Sequence, residues 1–194
     1  MEAGSVRVRE ATPDDTEAIV AVTAAGWRAA YRDIVAPDRL ADLPLARWRH
    51  EVHVGLRRPV EDAFSYVAEI NGVFAGYCFV AAPSREPDLG RKVAELVAIY
   101  VEPDRWAQGA GKALMRAALE RLGDLPYEEV VLWTFKENAP AIAFYEGQGW
   151  KRDGDEKVHP RTEAVAIRFR RPARPDPRPH ESPAYREGQQ WGPQ

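Results

Sequence analysis

The chain has 194 residues, 45% of them hydrophobic and 29% charged, with a formal net charge of −3 at pH 7. This fits one soluble globular domain with a sizeable core and excludes the basic footprint of a nucleic-acid-binding protein. The single cysteine, Cys78, excludes an intramolecular disulfide and most zinc arrangements.

Val6, Val8 and Glu10 alternate as a short strand, and Met1 to Glu10 lacks the apolar core of a signal peptide. Thr12-Pro13-Asp14-Asp15 then reads as a helix start, with Ile19, Val22, Trp27, Ala30 and Tyr31 at helical spacing. Pro37 and Pro44 punctuate a second helical stretch that continues through Trp48 to Leu56. Phe64 to Ile70 and Val73 to Ala81 are strand-like, and Asn71-Gly72 between them is a hairpin turn. After a polar loop, Val93 to Val101 is nearly all apolar, which predicts a strand buried on both faces. A glycine-containing turn leads into a helix from Lys112 to Leu122, with Leu114, Ala118 and Leu122 on one face. Glu129 to Phe135 is a strand, Asn138 onward a helix ended by Gly147 and Gly149, and Glu163 to Phe169 a closing strand. Asp153 to Arg161 reads as a loop. The last 24 residues, from Arg171, hold six prolines and few aliphatics, so they predict a disordered tail after a domain spanning 1–170. No stretch approaches the ~20 apolar residues of a membrane span, and a cytoplasmic location is expected.

The turn Trp106-Ala107-Gln108-Gly109-Ala110-Gly111-Lys112 poses the chemical question. A Walker A loop needs glycine at Trp106 and a hydroxyl at Ala113, and a dinucleotide fingerprint needs glycine at Leu114, so both fail. What remains is a strand, a Gly-x-Gly turn and a helix whose free amides suit a pyrophosphate. A side chain on either glycine is expected to block backbone approach or the required dihedrals.

Two segments, "ELVAIYVEPDRWAQGAGKALM" and "LWTFKENAPAIAFYEGQGW", resemble the GNAT superfamily of acyl-CoA-dependent N-acetyltransferases. The likeness covers roughly 6–170. Trp106 departs from the family pattern, which has Gln or Arg at the first loop position. The resemblance implies an α/β fold, a mixed and mostly antiparallel sheet flanked by helices on both faces. It implies that acetyl-CoA is the co-substrate, held by Ala107, Gln108, Gly109, Ala110, Gly111 and Lys112 and by the edge formed by Ile99, Tyr100 and Val101. Asn138 is expected to cap its helix and bond the pantetheine arm. Glu95 is the candidate base and Tyr145 the candidate acid.

That chemistry has a physical basis. An alkylamine with a pKa near ~10.4 is mostly protonated at neutral pH and must lose a proton before attacking a thioester. A tyrosine with pKa near ~10 can protonate the departing thiolate. Trp27 and Tyr31 are one helical turn apart and are candidates to line an acceptor pocket, engaging a cation through their faces. Cys78, inside an apolar strand, reads as a packed residue and not an acyl carrier. His50 and His53 flank Glu51, yet no metal is expected. The acceptor is expected to be a small amine, with a protein lysine or N-terminal amine, or a non-catalytic CoA-binding module, as alternatives. A homodimer is an open assembly state; nucleic acid and membrane are not expected partners.

Overall fold

The computed structural model describes residues 5–174. One seven-stranded sheet runs in the order β1-β2-β3-β4-β5-β7-β6. Its strands are β1 (Val6–Glu10), β2 (Phe64–Ile70), β3 (Val73–Ala81), β4 (Val93–Val101), β5 (Glu129–Phe135), β6 (Lys151–Val158) and β7 (Val165–Pro172). Every neighbouring pair is antiparallel except β4 and β5, which run parallel. The helices are α1 (Thr16–Ala30), α2 (Pro37–Ala41), α3 (Leu45–Arg57), α4 (Ala110–Gly123) and α5 (Ala139–Gly147). The expected α/β architecture is the one observed. Among the described residues no helix is long and apolar enough to cross a membrane.

The sheet separates two packing zones. On one face Leu114, Met115, Ala118 and Leu122 of α4, with Ile142 and Tyr145 of α5, pack on Ala94, Leu96, Val130, Leu132 and Phe169. This is the apolar stripe that the spacing of α4 predicts. On the other face Ile19 and Val22 of α1 cover Val67 and Tyr77. Beside them Val35 and Leu40 join Phe135 and Ala166. The start of α1 is fixed by charge: Asp15 accepts from the Thr12 N–H at 2.7 Å and takes a two-pronged Arg9 at 2.8 Å, while Arg9 also reaches Glu69. The Arg9 guanidinium holds the Asp15 carboxyl below its ordinary range.

Three expectations are corrected. Residues 151–158 form the edge strand β6, exposed throughout, where the sequence reads as a loop from Asp153. A run of Lys, Arg, Asp and Glu lacks the apolar alternation that marks a strand, but an edge strand with no face to bury does not need it. β4 is buried on both faces only as far as Leu96, and its second half is partly exposed. β7 continues to Pro172, and the Ala173 N–H bonds the Glu128 carbonyl at 2.9 Å, so the fold takes in four residues of the compositional tail. The rest of that segment, 175–194, lies outside the described residues.

Candidate active site

β4 and β5 stay paired for three positions only, Val93–Glu129, Ala94–Val130 and Glu95–Val131. Past Glu95 the strands part. On its other side β4 carries a bulge: Phe79 faces Ala98 and Val80 faces Leu96, so Val97 has no partner on β3. A bulge re-aims a strand and interrupts its ladder. The result is a wedge-shaped gap in the sheet, with Glu95 at its closed end and Val101 at its open end.

Glu95 is buried, and its carboxylate Oε2 accepts from the Ser84 hydroxyl and the Arg85 N–H, both at 3.3 Å. Burial pushes its pKa up, more than these bonds pull it down. The opposing charges of Glu86 and Lys157, which are paired with each other, rank below the Arg85 bond and above the Ser84 bond in effect. Lys157 also sits over the Trp133 ring, 3.9 Å from its centre.

Past the open end the chain turns through Pro103–Arg105 and then through Ala107, which has a left-handed backbone (φ 61°). Gly109 caps α4 with φ 95°, a conformation that strains any residue with a Cβ. The first α4 hydrogen bond runs from the Ala113 N–H to the Gly109 carbonyl at 3.0 Å, which leaves the Ala110, Gly111 and Lys112 amides without intrahelical partners. Gly111 differs from Gly109. Its φ is not positive, and an added Cβ meets Phe144 and Val101 side chains no closer than 3.6 Å, in ordinary contact. Trp106 donates its indole N–H to the Val101 carbonyl at 2.8 Å and Gln108 bonds the Asp104 carbonyl, so both side chains brace the turn. Beside it, Lys112, Arg116, Arg171 and Arg174 line a groove. Arg171 and Arg174 bond main-chain carbonyls of Gln148 and Gly123.

Asn138 is buried at the start of α5, where its Oδ1 accepts from the Ala141 N–H at 3.3 Å. Tyr145 is buried among Phe144, Trp150 and Phe169. Burial, reinforced by Tyr100, raises its pKa and keeps the phenol protonated. Its hydroxyl has no hydrogen-bond partner among the described residues. Tyr100, stacked on Tyr77, accepts a 2.9 Å hydrogen bond from the Trp27 indole. The ring has room because residue 26 is glycine; a Cβ there would come within 2.7 Å of Tyr100. Burial, with Tyr145 nearby, pushes the Tyr31 phenol up to about 12.

Trp27 and Tyr31 do come together, edge to face at 5.1 Å, but inside a cluster with Trp48, Phe135 and His159. Trp27 is engaged by neighbouring rings, whereas cations of the protein sit over the rings of Phe79, Trp133, Trp150 and Phe169. His159 Nδ1 accepts from the Thr162 N–H at 3.3 Å, which assigns the ring proton to Nε2. Cys78 is fully buried, and burial pushes its thiol up to about 12. A thiol so held is no nucleophile at neutral pH. Among the described residues no cluster of three His, Cys, Asp or Glu side chains could hold a metal ion. Sequence reasoning missed Ser84, Gly26, Lys157 and the Tyr100 side chain. Only Gly26, a glycine inside a helical pattern, carried a visible signal.

The Acetyltransferase (GNAT) family matches residues 27–150. YuaI of Bacillus subtilis, an uncharacterized N-acetyltransferase, is 31% identical over 147 residues, which are 76% of this chain and 81% of that protein. N-acetyltransferase 8F1 of Mus musculus is 37% identical over 95 residues, 49% of this chain and 42% of its own length. The mycothiol acetyltransferase of Sanguibacter keddieii is 35% identical over 95 residues, 48% of this chain and 30% of its own. The chain thus spans less than half the length of these last two relatives. Among solved structures, the PaiA N-acetyltransferase of Thermoplasma acidophilum, in complex with coenzyme A, shares the fold. Its TM-score is 0.71 at 17% identity, with 84% of this chain and 98% of that one covered.

Proposed function

The chain belongs to the GNAT acetyltransferase family, and from that membership we propose that it moves an acetyl group from acetyl-CoA to a primary amine by direct attack. The observation that carries this reading is a buried carboxylate, Glu95, at the apex of the β4–β5 gap. The gap suits an extended pantetheine arm lying along Ile99, Tyr100 and Val101 as an added strand. The free amides at the start of α4 suit the pyrophosphate, with Ala107 to Lys112 forming the turn around it. The cations of the neighbouring groove, of which Arg116 also meets Glu120, suit the nucleotide end.

In this mechanism Glu95 takes a proton from the acceptor nitrogen, and the nitrogen lone pair forms the new C–N bond at the thioester carbonyl. A main-chain N–H of the bulged strand stabilises the oxyanion. The carbonyl re-forms, the C–S bond breaks, and Tyr145 gives its proton to the sulfur, while the second proton lost by the nitrogen restores the Tyr145 phenol. Starting from an ammonium, the products are an amide, a thiol and one proton released to solvent. A carboxylate whose pKa is raised toward neutrality is a better general base than an ordinary one. The inert Cys78 favours direct attack over an acetyl-enzyme. The aromatic cluster around Trp27 and Tyr31 lies on the same face of the sheet as Glu95, and it suits a small amine carrying an apolar group.

The test is Glu95→Gln, assayed by thiol release with acetyl-CoA and a panel of small primary amines and lysine-containing peptides. The variant is expected to lose about 10²-fold or more in turnover at neutral pH. The loss should shrink as pH approaches the amine's own pKa. Wild-type rates across the pH range would remove Glu95 from the role, and activity confined to peptides would move the acceptor to proteins.

A further inference from the structure

We infer that Ser84 is a positioning residue for Glu95: its hydroxyl and the Arg85 N–H together hold Oε2, which leaves Oε1 as the oxygen that receives the acceptor's proton. This rests on the reading of Glu95 as base. Both donors bind one oxygen of the carboxylate. Ser84 is itself held on two sides. Its own N–H bonds the Val93 carbonyl on β4 at 2.7 Å, and its Oγ accepts from the Glu86 N–H at 3.1 Å. With that lone pair occupied, its single hydroxyl proton is directed at Glu95. The loop bearing Ser84 is anchored farther along, by the Glu86–Lys157 pair to β6 and by the Asp88–Arg168 pair to β7 at 2.7 Å. A loop between strands thereby becomes a fixed bracket, so the carboxylate has one oxygen anchored and one available.

The charged groups facing Glu95 are Glu86 on this loop and Lys157 on β6. Its strand neighbours, Ala81 on β3 and Val131 on β5, carry no charge. Hydrogen bonds stabilise the ionised form, so removing the Ser84 hydroxyl raises the Glu95 pKa. At 3.3 Å the bond is long and the Arg85 N–H remains in place, so the expected rise is modest.

The experiment needs no acceptor. The protein is labelled with ¹³C at glutamate side-chain carboxyls, the Glu95 signal is assigned by its loss in Glu95→Gln, and its titration is followed in wild type, Ser84→Ala and Ser84→Thr. The expected result is an upward shift in Ser84→Ala that exceeds the fitting error of the titration, and a return toward wild type in Ser84→Thr, which restores the hydroxyl. Coincident curves for wild type and Ser84→Ala overturn the assignment, as does a Ser84→Thr curve that stays with Ser84→Ala. Should Ser84→Ala fail to fold, Ser84→Cys, a poorer donor of similar size, carries the same test. Failure of the base reading shows elsewhere, as undiminished amine acetylation by Glu95→Gln, and so is told apart from an unshifted titration.

Discussion

At the scale of single residues, Tyr145 has a packing role and, in the proposed reaction, an acid role, and a change of one atom separates them. Its ring fills the core beside Phe144, Trp150 and Phe169, while its hydroxyl has no partner there. Tyr145→Phe keeps the ring and removes the proton donor. It is expected to lower kcat by about 10²-fold with little change in acetyl-CoA affinity or in thermal stability. Steady-state kinetics beside a calorimetric binding titration check this. Unchanged kcat, with chemistry rate-limiting, would leave Tyr145 as a packing residue. Gly26 shows the complementary case, in which a missing side chain matters because the Tyr100 ring occupies its place.

At the scale of elements, the turn into α4 depends on Gly109 more than on Gly111. Only Gly109 has the left-handed backbone, and an L side chain there costs about 1–2 kcal/mol. Gly109→Ala is therefore expected to lower stability by that amount and to weaken CoA binding at least tenfold, through distortion of the free amides. Gly111→Ala, whose Cβ has room within the protein, should leave stability within about 0.5 kcal/mol. Urea unfolding and calorimetry with CoA separate the two effects. The sequence was most legible where local pattern and tertiary demand agree: the α4 stripe, the Asn71-Gly72 hairpin and the glycine turn were all readable. It was least legible at β6, whose charged residues meet no core, and at Ser84. Nothing in a polar loop between Pro83 and Gly90 signals that one hydroxyl reaches a carboxylate eleven positions away. The β4 run also misled. Continuous apolarity implied two covered faces, whereas its second half borders a gap.

At the scale of the whole molecule, Arg168 ties the β3–β4 loop to the far edge of the sheet. It is buried on β7 and pairs with Asp88, Asp153 and Asp155. Arg168→Met keeps the stem and leaves these carboxylates facing one another, at an expected cost of roughly 3 kcal/mol at neutral pH. Asp88 has its pKa lowered chiefly by this arginine, so its share of the stabilisation exists above the unfolded carboxylate's pKa and is lost as pH falls through the folded one. The gap between wild type and variant in urea midpoints should accordingly narrow in acid; a gap constant from pH 7 to pH 3 would contradict it. The same long view applies to the three rungs joining β4 to β5. α4 packs chiefly on β1 to β4 and α1 on β3 and β4, so these two helices ride on one leaf of the sheet. The other leaf, β5-β7-β6, is joined to it by a short backbone seam and by side chains. A small rotation about that seam would widen the wedge without breaking any ladder within either leaf, working against the Glu86–Lys157 and Asp88–Arg168 pairs that cross between them. On the proposed reading, the room for an acyl chain in the wedge would then depend on the angle between the leaves as well as on the residues lining it.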